Sequence, residues 1–177
     1  MILEWRNSTN IKKYMYTQDD ISLENHMKFI ENLKNCEDKL YFLVKKDDDF
    51  IGVIYFVNLI KYEVDFGLYA NPMSKIAGIG RILEEISIDF AFNTLKVEKL
   101  KLEVFEDNIQ VRNLHKKYKF REIGEKSVNN KKVICMELDY RGEKLMENTE
   151  IKKVILDTVR LVNNMKKEKI LYWHLNV

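Results

Sequence analysis

The segment Glu63-Val64-Asp65-Phe66-Gly67-Leu68-Tyr69-Ala70-Asn71-Pro72 has the pattern of a strand that stops at the only proline of the chain. Lys75-Ile76-Ala77-Gly78-Ile79-Gly80-Arg81 follows at once, and residues 79–95 then repeat apolar side chains at helical spacing. Strand, glycine turn and helix in that order bring several backbone N–H groups together at the start of a helix. The whole chain holds six glycines and one proline, so two glycines at one turn are informative. The positive end of the helix dipole adds to the N–H groups, and Lys75 and Arg81 flank them with charge. Two readings fit: a cradle for a diphosphate, or a plain strand-to-helix turn. The spacing excludes a P-loop, a dinucleotide-binding fingerprint and a nucleophile elbow.

The rest of the chain mixes helices with short strands. Residues 2–7 and 9–16 read as short helical or irregular pieces. Residues 22–34 read as a helix capped by Ser22, with Leu23, Met27, Ile30 and Leu33 as its buried stripe. Tyr41–Val44, Phe50–Leu59 and Glu63–Tyr69 read as three meandering strands, with Lys45-Lys46-Asp47-Asp48-Asp49 as a solvated turn. On the helix over 79–95, Ile82, Leu83, Ile86, Phe90 and Leu95 share a face. Leu100–Phe105 alternates as a strand does, placing Leu100, Leu102 and Val104 opposite Lys101, Glu103 and Phe105. Residues 109–118 form a short helix that Asn108 can cap, with Val111, Leu114, His115 and Tyr118 on one face. Residues 120–125 and 132–139 close as a strand pair around Asn129-Asn130. From Gly142 to about Lys169 the pattern predicts a long amphipathic helix striped by Ile151, Val154, Ile155, Thr158, Leu161, Val162 and Met165. This order indicates an α/β or α+β domain over residues 1–140, with a helical extension over 141–177.

Composition narrows the function. In 177 residues, Lys+Arg 30 almost cancels Asp+Glu 28, for a formal charge of +2. That balance argues against a dedicated nucleic-acid binder. No run approaches the roughly 18 apolar residues of a membrane span, and the first residues lack the pattern of a signal peptide. Cys36 and Cys135 form no CxxC and read as two buried or free thiols in a reducing cytosol. Three histidines without a close acidic or cysteine cluster give no metal site.

With both motifs in view, the chain resembles the GCN5-related N-acetyltransferases, which use acetyl-coenzyme A. Their phosphate loop, Arg/Gln-x-x-Gly-x-Gly/Ala, is matched by Lys75 through Gly80 with lysine in first place. Their next motif is matched by Asn108, Val111, Leu114, His115, Lys117 and Phe120. Two positions depart: His115 replaces the usual tyrosine and Lys119 the usual glycine. The resemblance covers residues 1 to about 140. It implies a mixed central sheet flanked by helices, and a coenzyme site at Leu68, Tyr69, Lys75, Gly78, Ile79, Gly80, Arg81 and Asn108. Within that family, Trp5-Arg6-Asn7, Met15-Tyr16, Ile21–Ile30, Tyr41–Val44 and Phe66–Pro72 resemble the pseudaminic-acid pathway acetyltransferases. These acetylate the 4-amino group of a UDP-linked 4-amino-4,6-dideoxy sugar, for glycans of the cell surface and flagella. The resemblance implies a nucleotide-sugar pocket of Arg6, Met15, Tyr16, His26, Phe29 and Glu103. Asp65 stands where that pocket can also carry an aromatic residue.

The implied chemistry sets roles. An amine must lose a proton before it attacks a thioester, and Glu103 is the first candidate to accept it, with His26 second. A backbone N–H near Leu68 or Tyr69 is the implied donor to the developing oxyanion. The leaving thiolate, with an ordinary pKa of about 8.5, gains modestly from a proton donor. His115 takes the place of the family's tyrosine for that task, or else packs on the pantetheine arm, with Tyr118 one turn later as the fallback. Arg6 can grip a diphosphate in two-pronged fashion. Tyr16, Phe29 and Trp5 can stack on uracil, although Trp5 reads first as core. Family members begin with a strand that this sequence lacks before its first helix. The extra C-terminal stripe needs cover, on its own domain or on a second copy in a homodimer. Within the family a protein N-terminus or another amine is the alternative acceptor. Outside catalysis, the alternative is an acyl-coenzyme A-binding subunit.

Overall fold

The structure is a computed structural model that describes residues 1–140, 156–158 and 171–173. Helices α1 (Ile2–Asn7), α2 (Thr9–Lys12) and α3 (Leu23–Leu33) precede strands β1 (Leu40–Lys46), β2 (Asp49–Ile60) and β3 (Glu63–Ala70). Helix α4 (Ile79–Asp89) runs on through a π-helical turn, Phe90–Thr94, into β4 (Lys99–Phe105). Helix α5 (Ile109–Lys117) and the hairpin β5 (Arg121–Val128) and β6 (Lys131–Asp139) follow. The six strands form one sheet in the order β1-β2-β3-β4-β6-β5. Every neighbouring pair is antiparallel except β3–β4, which is parallel. This is an α/β arrangement, as the order of elements indicates, with the mixed, helix-flanked sheet that the resemblance implies.

Strand alternation assigns the two faces. Val64 and Phe66 of β3, Leu100, Leu102 and Val104 of β4, and Met136 and Leu138 of β6 are buried in one core with Leu83 and Ile86 of α4 and Phe90 of the π-helical turn. Each such side chain contributes about 1.5–3 kcal/mol through burial. On the opposite face, Trp5 and Ile11 pack on Leu43 and Val53, so α1 and α2 lie on the second side of the sheet. Trp5 is 5% exposed and belongs to that core.

Three expectations need correction. Ser22 does cap α3, accepting from the Asn25 amide at 3.1 Å, but Leu23 and Met27 are 66% and 55% exposed. Ile30 and Leu33 do turn inward as expected, and His26 joins them in place of Leu23 and Met27, because the cavity wall and not a closed core lies beneath this face. Asn108 starts α5 without a side-chain cap. In the C-terminal extension, Leu156–Thr158 and Leu171–Trp173 are short strands, β7 and β8, paired antiparallel. The expected helix therefore does not pass through 156–158. The rest of that helix, and its use by a second copy, lie outside the described residues. Strand β7 lies alongside β1 at the edge of the sheet.

Lys119 has φ +68. It is the left-handed residue after α5, where the family carries glycine. Phe120 N–H donates to His115 C=O at 3.2 Å and Lys119 N–H to Lys116 C=O at 3.0 Å, the paired bonds of a Schellman close. Phe120, 4% exposed, seals it. The buried Phe120 holds a lysine in a conformation that costs it about 1 kcal/mol. Lys119→Gly is expected to raise stability by about 0.5–1 kcal/mol in urea denaturation. A lower midpoint would contradict the cost assigned to this residue.

Candidate active site

Strands β3 and β4 stay together only from Glu63↔Lys99 to Asp65↔Lys101. Beyond that, β3 continues along β2 as far as Ala70, and β4 along β6 as far as Phe105. The two strands part, and a cleft opens between them. Asn71 N–H donates to Ile51 C=O on β2 at 2.8 Å. Alternation by two turns the Tyr69 N–H toward β2 as well and leaves the Leu68 N–H facing the cleft. Of the two expected donors, the Leu68 N–H is the one that faces the cleft.

At the end of β3 the chain turns through Lys75 and Ala77, both exposed, into α4. Gly78 sits at φ +75 with nothing within 4 Å of where a Cβ would be. No side chain caps α4, so the first-turn amides of Ile79 and Gly80 have no intrahelical acceptor. These amides, with the cations Lys75 and Arg81 beside them, suit the diphosphate of a coenzyme.

Helix α5 closes the cleft from the core side. His115 is 5% exposed, and its Nδ1 lies 2.7 Å from Oε1 of Glu84, which is fully buried. Its ring meets Phe66 and Phe120 edge-on at 6.1 and 5.6 Å. One turn on, the Tyr118 hydroxyl donates to Glu85. Burial, reinforced by that bond, holds the Tyr118 phenol well above its ordinary pKa. Its proton is committed to α4.

The other side of the sheet holds a cavity of about 570 Å³ lined by Arg6, Met15, His26 and Phe29, together with Tyr41, Tyr55 and Tyr69. Phe29 meets Tyr41 edge-on at 5.4 Å, and Tyr41 stacks on Tyr55 at 5.1 Å and 13°. Tyr55 lies across Gly67, where a Cβ would overlap its hydroxyl. Burial holds Tyr69 and Tyr55 high and pushes Tyr41 up to about 12, so this wall is neutral. Arg6 Nη1 is buried in it without a partner, while Nη2 reaches only the Thr17 carbonyl at 3.4 Å. Burial lowers the Arg6 pKa, and no carboxylate is among the causes. Burial also lowers that of His26.

Glu103 points to this same face from β4. Tyr16 donates to its Oε2, and Lys126 of β5 sits 2.7 Å from its Oε1. Tyr16 thus joins the site through Glu103 and does not line the cavity. Burial and the bond to Glu103 raise the Tyr16 pKa, so it remains a donor. The loop over 13–21 is held by Asn7, whose side chain donates to the Ile21 carbonyl and accepts from its amide, both at 2.9 Å.

A family model described as the acetyltransferase (GNAT) domain matches residues 1–121. Acetyltransferase PseH of Campylobacter jejuni is 42% identical over 120 residues, spanning 68% of this chain and 74% of that protein. The chain belongs to the GNAT acetyltransferases. The crystal structure of Campylobacter jejuni N-acetyltransferase PseH in complex with acetyl coenzyme A superposes with a TM-score of 0.64 at 33% identity, over 80% of this chain and 89% of that one. Spermidine N-acetyltransferase from Vibrio cholerae, in complex with CoA and spermine, shares the fold with a TM-score of 0.70 at 20% identity, over 78% and 87%. The expected GNAT fold and acetyl-coenzyme A-dependent enzyme are thereby established.

The structure brings Arg6, Met15, His26 and Phe29, which the resemblance implied, to one cavity, and sequence patterns join Lys75 through Arg81 at one turn. They did not point to Tyr41, Tyr55, Lys126 or Glu84. The tyrosines carry a legible signal, since alternation places Tyr41, Tyr55 and Tyr69 on one face. Glu84 carries none, because a glutamate amid helical apolar residues reads as an exposed position. Among the described residues, no His, Cys, Asp and Glu side chains gather as a metal-ligand set, and no helix is long and apolar enough to cross a membrane.

Gly78→Ala adds a methyl at a left-handed position facing the open turn. Calorimetry is expected to show acetyl-coenzyme A binding weakened roughly tenfold, given a backbone cost of about 1–2 kcal/mol. Unchanged affinity in a folded variant would remove this turn from the coenzyme site.

Proposed function

We propose that this enzyme transfers the acetyl group of acetyl-coenzyme A to the 4-amino group of a UDP-linked 4-amino-4,6-dideoxy sugar, within pseudaminic-acid biosynthesis. The observation that carries the reading is Arg6 Nη1, a buried guanidinium nitrogen with no partner, in a cavity walled by aromatic rings. An unmatched buried cation calls for an anion, and a nucleotide diphosphate supplies one. The aromatic wall suits the flat uracil. The identity with an acetyltransferase named PseH supports the same reading.

The cavity and the cleft lie on either side of β3, which puts the acceptor amine and the thioester at the same gap. Residues 75–81 hold the coenzyme diphosphate. Glu103 takes the amine proton through water, with Tyr16 and Lys126 fixing its carboxylate. The Leu68 N–H stabilises the negative charge that develops on the thioester oxygen. His115 returns a proton to the departing sulfur. Residues 1–140 carry the reaction, and 141–177 form the extension. The cytoplasm supplies the coenzyme and keeps Cys36 and Cys135, free in this structure, reduced.

Arg6→Ala removes the diphosphate contact. KM for the UDP-amino sugar is expected to rise roughly 10- to 100-fold, in line with a charged hydrogen bond of about 1.5–3 kcal/mol. Affinity for acetyl-coenzyme A stays unchanged in calorimetry. Equal weakening of both would detach Arg6 from the sugar nucleotide.

His115→Phe keeps the packing against Phe66 and removes the donor. Thiol release at saturating substrates is expected to fall roughly tenfold or more, with coenzyme affinity retained. Turnover equal to that of the unaltered enzyme would reject His115 as the donor.

A further inference from the structure

We infer that Glu84 is a positioning residue for the reaction, acting through His115. This rests on the reading of His115 as donor to the sulfur. Glu84 lies in the middle of α4, fully buried, on a helix whose neighbours Ile82, Leu83, Ile86 and Ile88 are all core. One oxygen faces His115 Nδ1 at 2.7 Å and the other, Oε2, has no partner. A half-satisfied buried carboxylate is costly, and an apolar side chain would serve packing better. Its one hydrogen bond among the described residues is to the histidine that replaces the family's tyrosine.

The two changes belong together. A tyrosine has a single hydroxyl and needs no partner to aim it. An imidazole has two nitrogens, and a partner on one of them fixes which nitrogen takes up and gives away the transferred proton. A carboxylate accepts and does not donate, so Glu84 keeps the Nδ1 proton in place and gives Nε2 the working position. Nε2 has no partner among the described residues. In the transfer step, the Nε2–H bond breaks and an S–H bond forms on the departing thiolate. The imidazolium becomes the neutral Nδ1–H form, still donating to Glu84. Glu84 itself neither gains nor loses a proton. Glu85, its neighbour, accepts from Tyr118, so that hydroxyl is already engaged.

The test is Glu84→Gln, alone and combined with His115→Tyr, in the full chain with folding checked by circular dichroism. With Glu84→Gln alone, kcat is expected to fall roughly tenfold while KM for acetyl-coenzyme A and for the UDP-amino sugar stays within twofold. In the His115→Tyr background, adding Glu84→Gln is expected to change kcat less than twofold, because tyrosine has no tautomer to fix. Nitrogen-15 NMR of the unaltered enzyme is expected to show neutral His115 as the Nδ1–H tautomer. An Nε2–H tautomer there overturns the inference, even if Glu84→Gln fails to fold. An unchanged kcat in Glu84→Gln, or the same loss in both backgrounds, also overturns it while leaving His115 as donor. If His115→Phe leaves turnover intact, both fall together.

Discussion

Everything in the site follows from how briefly β3 and β4 pair. Parallel contact spans three residues on each strand, after which each strand follows its own antiparallel partner. A sheet normally consumes its backbone donors and acceptors, and unpaired ones away from water are rare. Here the parting leaves the β4-facing edge of β3 free from Phe66 onward. That edge supplies the Leu68 N–H. It also opens the sheet from one face to the other, so the α4 turn on one side and the tyrosine-lined cavity on the other meet at the same place. A longer parallel ladder would be more stable by its additional hydrogen bonds, each about 0.5–1.5 kcal/mol net, and would have no cleft.

The scaffold around the gap must then be held by other contacts. Helix α4 does this by being buried on nearly every side from Ile82 to Ile88. Two consecutive glutamates within that stretch, Glu84 and Glu85, go against its packing. Removing a carboxylate from water costs several kcal/mol before pairing, comparable to the gain from burying Leu83 or Ile86. Each glutamate recovers part of that cost through one bond to α5, to His115 or to Tyr118. These two bonds also tie α4, which starts at the 75–81 turn, to α5 and the residue that follows it.

Much of this was legible in the sequence, for identifiable reasons. Strand limits came through because alternation is strict in β4 and because Pro72 and the 45–49 turn punctuate the meander. The turn at 75–81 was legible because Gly78 and Gly80 stand out in a glycine-poor chain. The stripe of α3 was misread because Leu23 and Met27 share its helical period yet face solvent, while His26, a polar residue, turns inward. Periodicity reports spacing and not which stripe is covered. Lys126 and Glu84 were illegible for another reason. Their roles come from partners 23 and 31 residues away, and charged residues carry no mark of such contacts. In the extension, a convincing apolar stripe overlies a strand at 156–158, where local propensity gives way to its surroundings.

Three consecutive residues show how local structure becomes a binding site. Trp5, Arg6 and Asn7 lie on one short helix, and a helix turns each residue about 100° from the last. Trp5 goes down into the cluster with Leu43 and Val53. Arg6 turns to the cavity. Asn7 turns to the loop and holds Ile21 by two hydrogen bonds. Six residues are too few to be a stable helix in water by themselves, so the orientation of Arg6 depends on its two neighbours. The anchor fixes the helix on the sheet and the staple fixes the loop over the cavity. The guanidinium between them keeps its direction although one of its nitrogens has no protein partner, which is what the role proposed for Arg6 requires.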